Sequence, residues 1–435
     1  MPVRPKENHL DVYPNRSELF LGTNKPTFVF PEGPQDEATQ KRYQKIVEAF
    51  RAGFLDKVYR ETVTGKHDIS KLPEFVCGHL RKMVAAISAN GGRALTGLVF
   101  LQLAVKAIAP KQSIRLHKGG SSSSDFSWRQ GVSLRSLDKD FSSSFLRDHK
   151  LLEINRDGVM MTRTLAENYP YTQLYKAHIV GPADDWMALV DGAEAGEFDP
   201  LLALSFLISA LKNRSDAFTK LADTTVATAE GLSPTSLTKV TTLFAEFVSK
   251  TDNSARAFEV AMHSLMQALG DIGAPLSGQL APLSQMRSAN KKAGNIGDIE
   301  LLSPTGSIVE SWDAKFGKSY LWDELVELGE KLAEKPGVKI AGFVTDGIPT
   351  LRSDLLNRKN EIATETGTQI EIFSFQDWVR IQTGDLSTEQ RAVLPKAWLT
   401  AAAETFGRKR LTIAPIDEPC DKWLSDFATA LNSIA

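Results

Sequence analysis

The chain has 435 residues, with 51 Lys and Arg against 53 Asp and Glu, giving a formal charge of −2. With 42% hydrophobic and 24% charged residues it is ordinary globular protein, long enough for about two to four domains, which excludes disorder, collagen and fibre. No apolar run approaches the roughly 18 residues of a membrane span, Met1–Asp11 is too polar for a signal peptide, and Cys77 and Cys420 are too few for a disulfide framework or a cysteine zinc site. No membrane partner is therefore expected, and a reducing cytoplasm is the expected location. The near-zero charge also argues against a nucleic-acid partner, because phosphate-binding domains usually carry a basic excess. A mean can hide a patch.

Residues 1–34 are rich in Pro, Asn and other polar residues and read as an irregular arm. Apolar residues at helical spacing follow: Val47, Phe50, Phe54, Val58 and Tyr59, then Phe75, Leu80, Val84 and Ile87. Asn90-Gly91-Gly92 breaks the pattern before an apolar helix over Ala94–Ile108. Residues 1–110 are thus an N-terminal arm and helical region. In 111–190, Gly119-Gly120 and Ser121–Ser124 predict a flexible loop and Leu134–Leu146 a helix. Leu151–Asn155 and Val159–Arg163, joined by Arg156-Asp157-Gly158, predict a β-hairpin. A helix followed by such a hairpin is winged-helix-like. Residues 177–200 hold six acids (Asp184, Asp185, Asp191, Glu194, Glu197, Asp199) and no Lys or Arg, the pattern of a solvated boundary.

Residues 191–384 form the next region. Helices are expected at Leu201–Lys212 and Ser236–Lys250, and Ala255, Phe258, Met262, Leu265, Met266 and Leu269 make a further helical stripe. Strands are expected at Ile296–Leu302 and Ser307–Phe316 around Pro304-Thr305-Gly306. A helix carrying Leu321, Leu325, Leu328 and Leu332 follows, then a buried strand at Val338–Val344, a polar helix at Asp354–Thr366 and a strand at Gln369–Phe373. This order predicts an α/β domain, a mixed sheet flanked by helices. Residues 385–435 read as a helical tail.

The chemistry concentrates in the hairpin. Side chains two apart on a strand share a face, so Asp313 and Lys315 point the same way, and Asp298 on the neighbouring strand joins them if the register allows. Converging carboxylates repel unless a cation lies between them, and carboxylate oxygens with water suit Mg²⁺. A lysine beside them can orient or deprotonate a water, or stabilise a developing anion. Glu259 lies on the apolar stripe of its helix, where an acid needs a partner or a task. A helix acid, then Asp298, then Asp313-Ala314-Lys315, within an αβββαβ-like order, resembles the PD-(D/E)xK nuclease superfamily, most like a type II restriction endonuclease. The resemblance covers about residues 254–378. It implies a restriction-endonuclease-like fold, Mg²⁺ held by Asp298, Asp313, the Ala314 carbonyl and Glu259, and Lys315 positioning the attacking water. It also implies 5′-phosphate and 3′-hydroxyl products. Gly297 stands where the family name has proline, and the first of the three strands is not evident between Leu269 and Asn295. A second acid-x-lysine triplet, Asp148-His149-Lys150, lacks this context.

Charge read locally changes the partner expectation. Residues 111–176 carry a balance of +4, interleaved with aromatics and hydroxyls. Lys118, Arg129, Gln130, Arg135, Arg163, Asn168 and Tyr169 there are candidate contacts to DNA, since Arg, Asn and Gln read bases while Ser, Thr and Lys hold phosphates. Arg287, Lys291 and Lys292, just before Asp298, are candidates for holding the phosphate beside the cut. The seven histidines show no zinc spacing, and no GxxxxGK[ST] motif implies a nucleotide triphosphate. The expectation is a Mg²⁺-dependent, site-specific double-stranded DNA endonuclease of a restriction-modification pair, a homodimer if its target is palindromic. The alternatives are a repair, structure-specific or modification-dependent nuclease, a non-enzymatic DNA-binding regulator, or an enzyme acting on small phosphorylated substrates.

Overall fold

The computed structural model describes residues 8–22, 27–88, 91–122, 125–154, 157–160, 163–175, 177–283, 295–411 and 418–434. The chain is mixed α/β and divides into two compact units: residues 1–217 with 411–419, and 218–410 with 420–435. No helix among the described residues is long and apolar enough to cross a membrane.

The first unit opens with β1 (His9–Tyr13), β2 (Arg16–Phe20) and β3 (Phe28–Pro31), an antiparallel meander where an irregular arm was expected. Leu19 and Phe30 turn inward onto Leu116 and Trp128, and that small core orders the segment. Helices α1 (Glu37–Arg51), α2 (Phe54–Val63), α3 (Glu74–Ala85) and α4 (Gly92–Ile108) follow. Helix α4 is buried along nearly its whole length, as its predominantly apolar sequence requires, and Arg93, Thr96, Gln102 and Lys106 are buried with it.

The expected helix at 134–146 is α5 (Leu134–Leu137), a π turn (Asp138–Ser142) and α6 (Ser143–Asp148). The expected wing is absent: among the described residues no strand lies between 151 and 163. Leu151, Leu152, Ile154, Val159 and Met160 are all buried, and the buried Asp138 carboxylate accepts the N–H groups of Val159 and Met160 at 2.8 and 2.9 Å. A side chain there takes the donors a hairpin ladder would have used.

Nor is 177–200 a solvated boundary. It contains α7 (Ala183–Ala195), whose Trp186, Leu189 and Val190 are buried. Three of its six acids serve bases of the same unit. Asp191 receives Arg115 at 2.5 Å, Glu194 receives Lys106 at 3.0 Å, and Asp185 lies 2.7 Å from His79.

Helix α8 (Pro200–Gly231) crosses the division between units. The second unit continues with α9 (Leu237–Lys250), α10 (Ser254–Asp271), β4 (Gln279–Leu280), β5 (Ile299–Leu302), β6 (Ile308–Lys315), α11 (Trp322–Glu334), β7 (Ile340–Thr345), α12 (Ser353–Thr366) and β8 (Gln369–Ser374). Helices α13 (Phe375–Gln382), α14 (Thr388–Phe406) and α15 (Cys420–Asn432) complete it. The five strands lie in chain order; β4-β5-β6 pair antiparallel and β6-β7-β8 parallel.

Two helical layers cover this sheet. Leu321, Leu325, Leu328 and Leu332, with Leu355 and Ile362 of α12, pack on Ala341, Phe343, Ile370 and Ile372. From α10, α13 and α14, Phe258, Phe375 and Trp398 form edge contacts, and Trp378 meets Trp312 of β6. Strand β4, only two residues long, is the one that sequence pattern did not expose.

Candidate active site

Register builds the site in the second unit. Ile299 opposes Trp312 across the β5–β6 pair, so Asp298, one residue earlier, stands opposite Asp313. The turn is the expected one, with Gly306 N–H donating to Ser303 O at 2.9 Å and Gly306 at φ +83°. A register shift between Leu301 and Leu302 is what brings Asp298 opposite Asp313 rather than Trp312. Asp298 Oδ2 accepts the Ala314 N–H at 3.0 Å, which fixes its carboxyl against the neighbouring strand. A Cβ on Gly297 would lie 2.8 Å from the Trp312 carbonyl oxygen, so proline could not occupy this position without moving β6.

Lys315 reaches back along its own strand, Nζ 2.8 Å from Asp313 Oδ2 and 5.8 Å from the centre of the Phe343 ring. Burial pulls the Lys315 pKa down. The adjoining Asp313 carboxylate, with Asp298 and Glu324 behind it, outweighs burial, and the net shift is upward. Lys315 is therefore a cation here, suited to holding negative charge. Asp298 is driven the other way from a comfortable carboxylate. Burial, then the charge on Asp313, then Glu259, push its pKa well above the usual range.

Glu259 is 3% exposed and ion-paired with the equally buried Arg256 one turn earlier in α10. It adds to the charge felt at Asp298, but its own counter-ion in this structure is Arg256. His263 is a packed helix histidine: Nε2 lies 2.9 Å from the Ala281 carbonyl, and burial pushes its pKa down to about 4.

Among the described residues no group of three or more His, Cys, Asp or Glu is clustered as a metal site. Asp298 and Asp313 remain a pair of opposed carboxyls, with Asp298 bonded to the Ala314 N–H. The chemistry of this donor set fits a hard divalent cation: neutralising the pair would remove the Asp313 repulsion that adds to burial in raising Asp298.

The basic candidates belong to the first unit. Lys118 is half-buried, bonds to the Asn168 amide oxygen and lies 5.8 Å over the Phe126 ring. Arg129, Gln130, Arg135 and Asn168 are exposed, and Tyr169 is half-buried. Arg163 opens a short 3-10 turn, Arg163–Ala166. Arg287, Lys291 and Lys292 lie outside the described residues. The triplet Asp148-His149-Lys150 is spent locally: His149 lies 3.1 Å from Asp56, and Lys150 turns the chain with φ +55°. Arg256 and Glu324, which sequence reading passed over, act on the carboxylates and on Lys315. Arg256 had a signal, standing one turn before Glu259 on the same apolar stripe.

No protein-family model matches the sequence, and neither does any curated protein.

Proposed function

We propose that the chain is a Mg²⁺-dependent DNA endonuclease of restriction-endonuclease-like fold, acting as a type II restriction enzyme. The observation that carries this reading is Asp298 held opposite Asp313, with Lys315 bound to Asp313, on the inner strands β5 and β6 within a helix-strand-strand-strand-helix-strand order. Asp298, Asp313 and the Ala314 carbonyl would hold the cation, and Glu259 would join them on exchanging Arg256. Bound there, Mg²⁺ would supply Lewis-acid stabilisation of phosphoryl oxygens and favour hydroxide over water.

The chain's own groups do the rest. Lys315 is charged in its resting state, so it donates hydrogen bonds and stabilises the phosphorane's added negative charge; it is not a base waiting to accept a proton. Its bond to Asp313 aims the ammonium along the carboxylate edge. A water between Lys315 and Asp298 would have one donor and one acceptor to orient it for in-line attack. The half-buried Lys118 and the exposed Arg129, Gln130, Arg135 and Asn168 would hold DNA. Two strands need two such sites, which a symmetric dimer on a palindromic target provides.

The test is to incubate the protein with plasmids and Mg²⁺ and sequence the fragment ends. Discrete ends bearing 5′-phosphate are expected. Asp313→Ala and Lys315→Ala should each lower the cutting rate by about two to four orders of magnitude while retaining DNA binding. Undiminished cutting by both variants refutes the assignment.

A further inference from the structure

The first unit contains a cavity of about 370 Å³ that the cleavage chemistry leaves without a task. Residues 117–120 and 127–134 of its wall are tied to each other. Gly119 and Gly131 are pressed together so closely that a Cβ on Gly119 would lie 1.9 Å from the Gly131 carbonyl oxygen. Trp128 N–H donates to Lys118 O at 3.0 Å and Leu134 N–H to His117 O at 3.2 Å, so the two sides of the cavity are bonded to each other. Gln35 Nε2 donates to Gly131 O at 2.6 Å, and Ser127 Oγ accepts the Gly120 N–H at 2.9 Å. Gly119-Gly120, expected in a flexible loop, is thus tied down. His117 in the wall is stacked on Tyr171, with 4.4 Å between ring centres.

The lining has a distinct chemistry. Lys118 and Arg135 bring two cations to it. Phe126 offers an apolar plate, and Ser121, Ser133 and Asp125 offer groups that donate and accept hydrogen bonds. Cations suit a phosphate, the plate suits a flat ring, and the hydroxyls with Asp125 suit the polar edge of that ring. Together they describe a nucleotide. A base stacked in a duplex cannot enter a concave site of this kind; it must leave the helix first.

We propose that this cavity receives a single nucleotide extruded from DNA, its phosphate at Lys118 and Arg135 and its base beside Phe126. The proposal rests on the endonuclease reading and deepens it: recognition includes one unstacked base. A free nucleotide shares the ligand chemistry, so the experiment separates the two sources.

Duplexes carrying the mapped cleavage site are made with 2-aminopurine at each position in turn and bound to the full chain without Mg²⁺. Binding is followed by anisotropy and unstacking by 2-aminopurine emission. At one position a severalfold rise in emission is expected. Gly120→Leu should abolish the rise, because Gly120 lines the cavity and a Cβ there meets nothing within 4 Å, so bulk is added at the wall without displacing the backbone. Its Mg²⁺-free binding should weaken only modestly.

If DNA is bound and cut but no position brightens, the proposal is wrong and the endonuclease reading stands. Saturable calorimetric binding of a deoxynucleoside 5′-monophosphate, lost in Gly120→Leu and without brightening in DNA, would assign the cavity to free nucleotide and overturn extrusion. If no duplex is bound or cut, the endonuclease reading fails and the DNA source fails with it.

Discussion

Asp298 carries a burden that its neighbours impose: partial burial, and Asp313 opposite it on β6. Its pKa in the folded chain is raised, so the folded state holds this proton more tightly than the unfolded state does. The associated stability is complete in acid, below the ordinary carboxylate range, and is lost as pH rises through the folded-state value. Asp298→Asn removes the ionisation, so without Mg²⁺ the variant should be more thermostable than the native chain at neutral pH and lose this advantage in acid. Each 1 kcal/mol gained corresponds to about 2–4 °C for a unit of this size. Mg²⁺ should raise the native melting temperature at neutral pH and leave the variant nearly unmoved, while the variant no longer cuts DNA. Calorimetric scans across pH, with and without chelator, measure all three effects; parallel profiles for the two proteins would disprove the charge argument.

Elements whose pattern is carried by their own residues were readable from sequence. The β5–β6 hairpin, α11, β7, α12 and β8 fall close to their expected bounds, because alternation, the leucine stripe and Pro304-Thr305-Gly306 are local signals. Alternation put Asp313 and Lys315 on one face, and hairpin pairing put Asp298 on the adjacent strand. The register shift beside Leu301 that sets Asp298 opposite Asp313 had no local signal. What failed was decided at a distance. Asp157-Gly158 between apolar runs is a fair hairpin signal, yet the backbone donors beside it go to Asp138, some twenty residues earlier. Glu153 in the same segment is 1% exposed. Arg214 Nη1 donates to both its oxygens at 3.0 and 3.1 Å, and Arg93 Nε lies 3.8 Å away. No spacing rule announces a buried carboxylate between two arginines so far apart in the chain. Glu153→Ala should therefore destabilise the first unit by about 3–5 kcal/mol, because it removes the buried carboxylate that Arg214 and Arg93 share. A wing exposed to solvent would tolerate the change within a few tenths of a kcal/mol. Urea titration followed by tryptophan fluorescence distinguishes them.

At the scale of the whole molecule, the charge of −2 is a poor guide to partners, and a count by segment improves on it only in part. The basic excess of 111–176 and the acidic run after it are not separate surfaces. Arg115 is buried against Asp191, and Lys106, just before this segment, against Glu194, so both bases are neutralised inside the first unit. Lys118, Arg129 and Arg135 differ from Arg115 in the one respect that counts for DNA, which is that their charges reach the surface or the cavity that opens there. Phosphate contacts release counter-ions, so the logarithm of DNA affinity should fall linearly with the logarithm of salt. Lys118→Ala and Arg129→Ala should each make that slope shallower by about one. Arg115→Ala should leave the slope unchanged while lowering the stability of the first unit, since it strands the Asp191 carboxylate. Binding isotherms at several salt concentrations, with melting curves on the same three proteins, test whether exposure sets the electrostatic footprint. A slope that changes for Arg115→Ala and stays fixed for the other two would mean that the first unit meets DNA through some other face, or not at all.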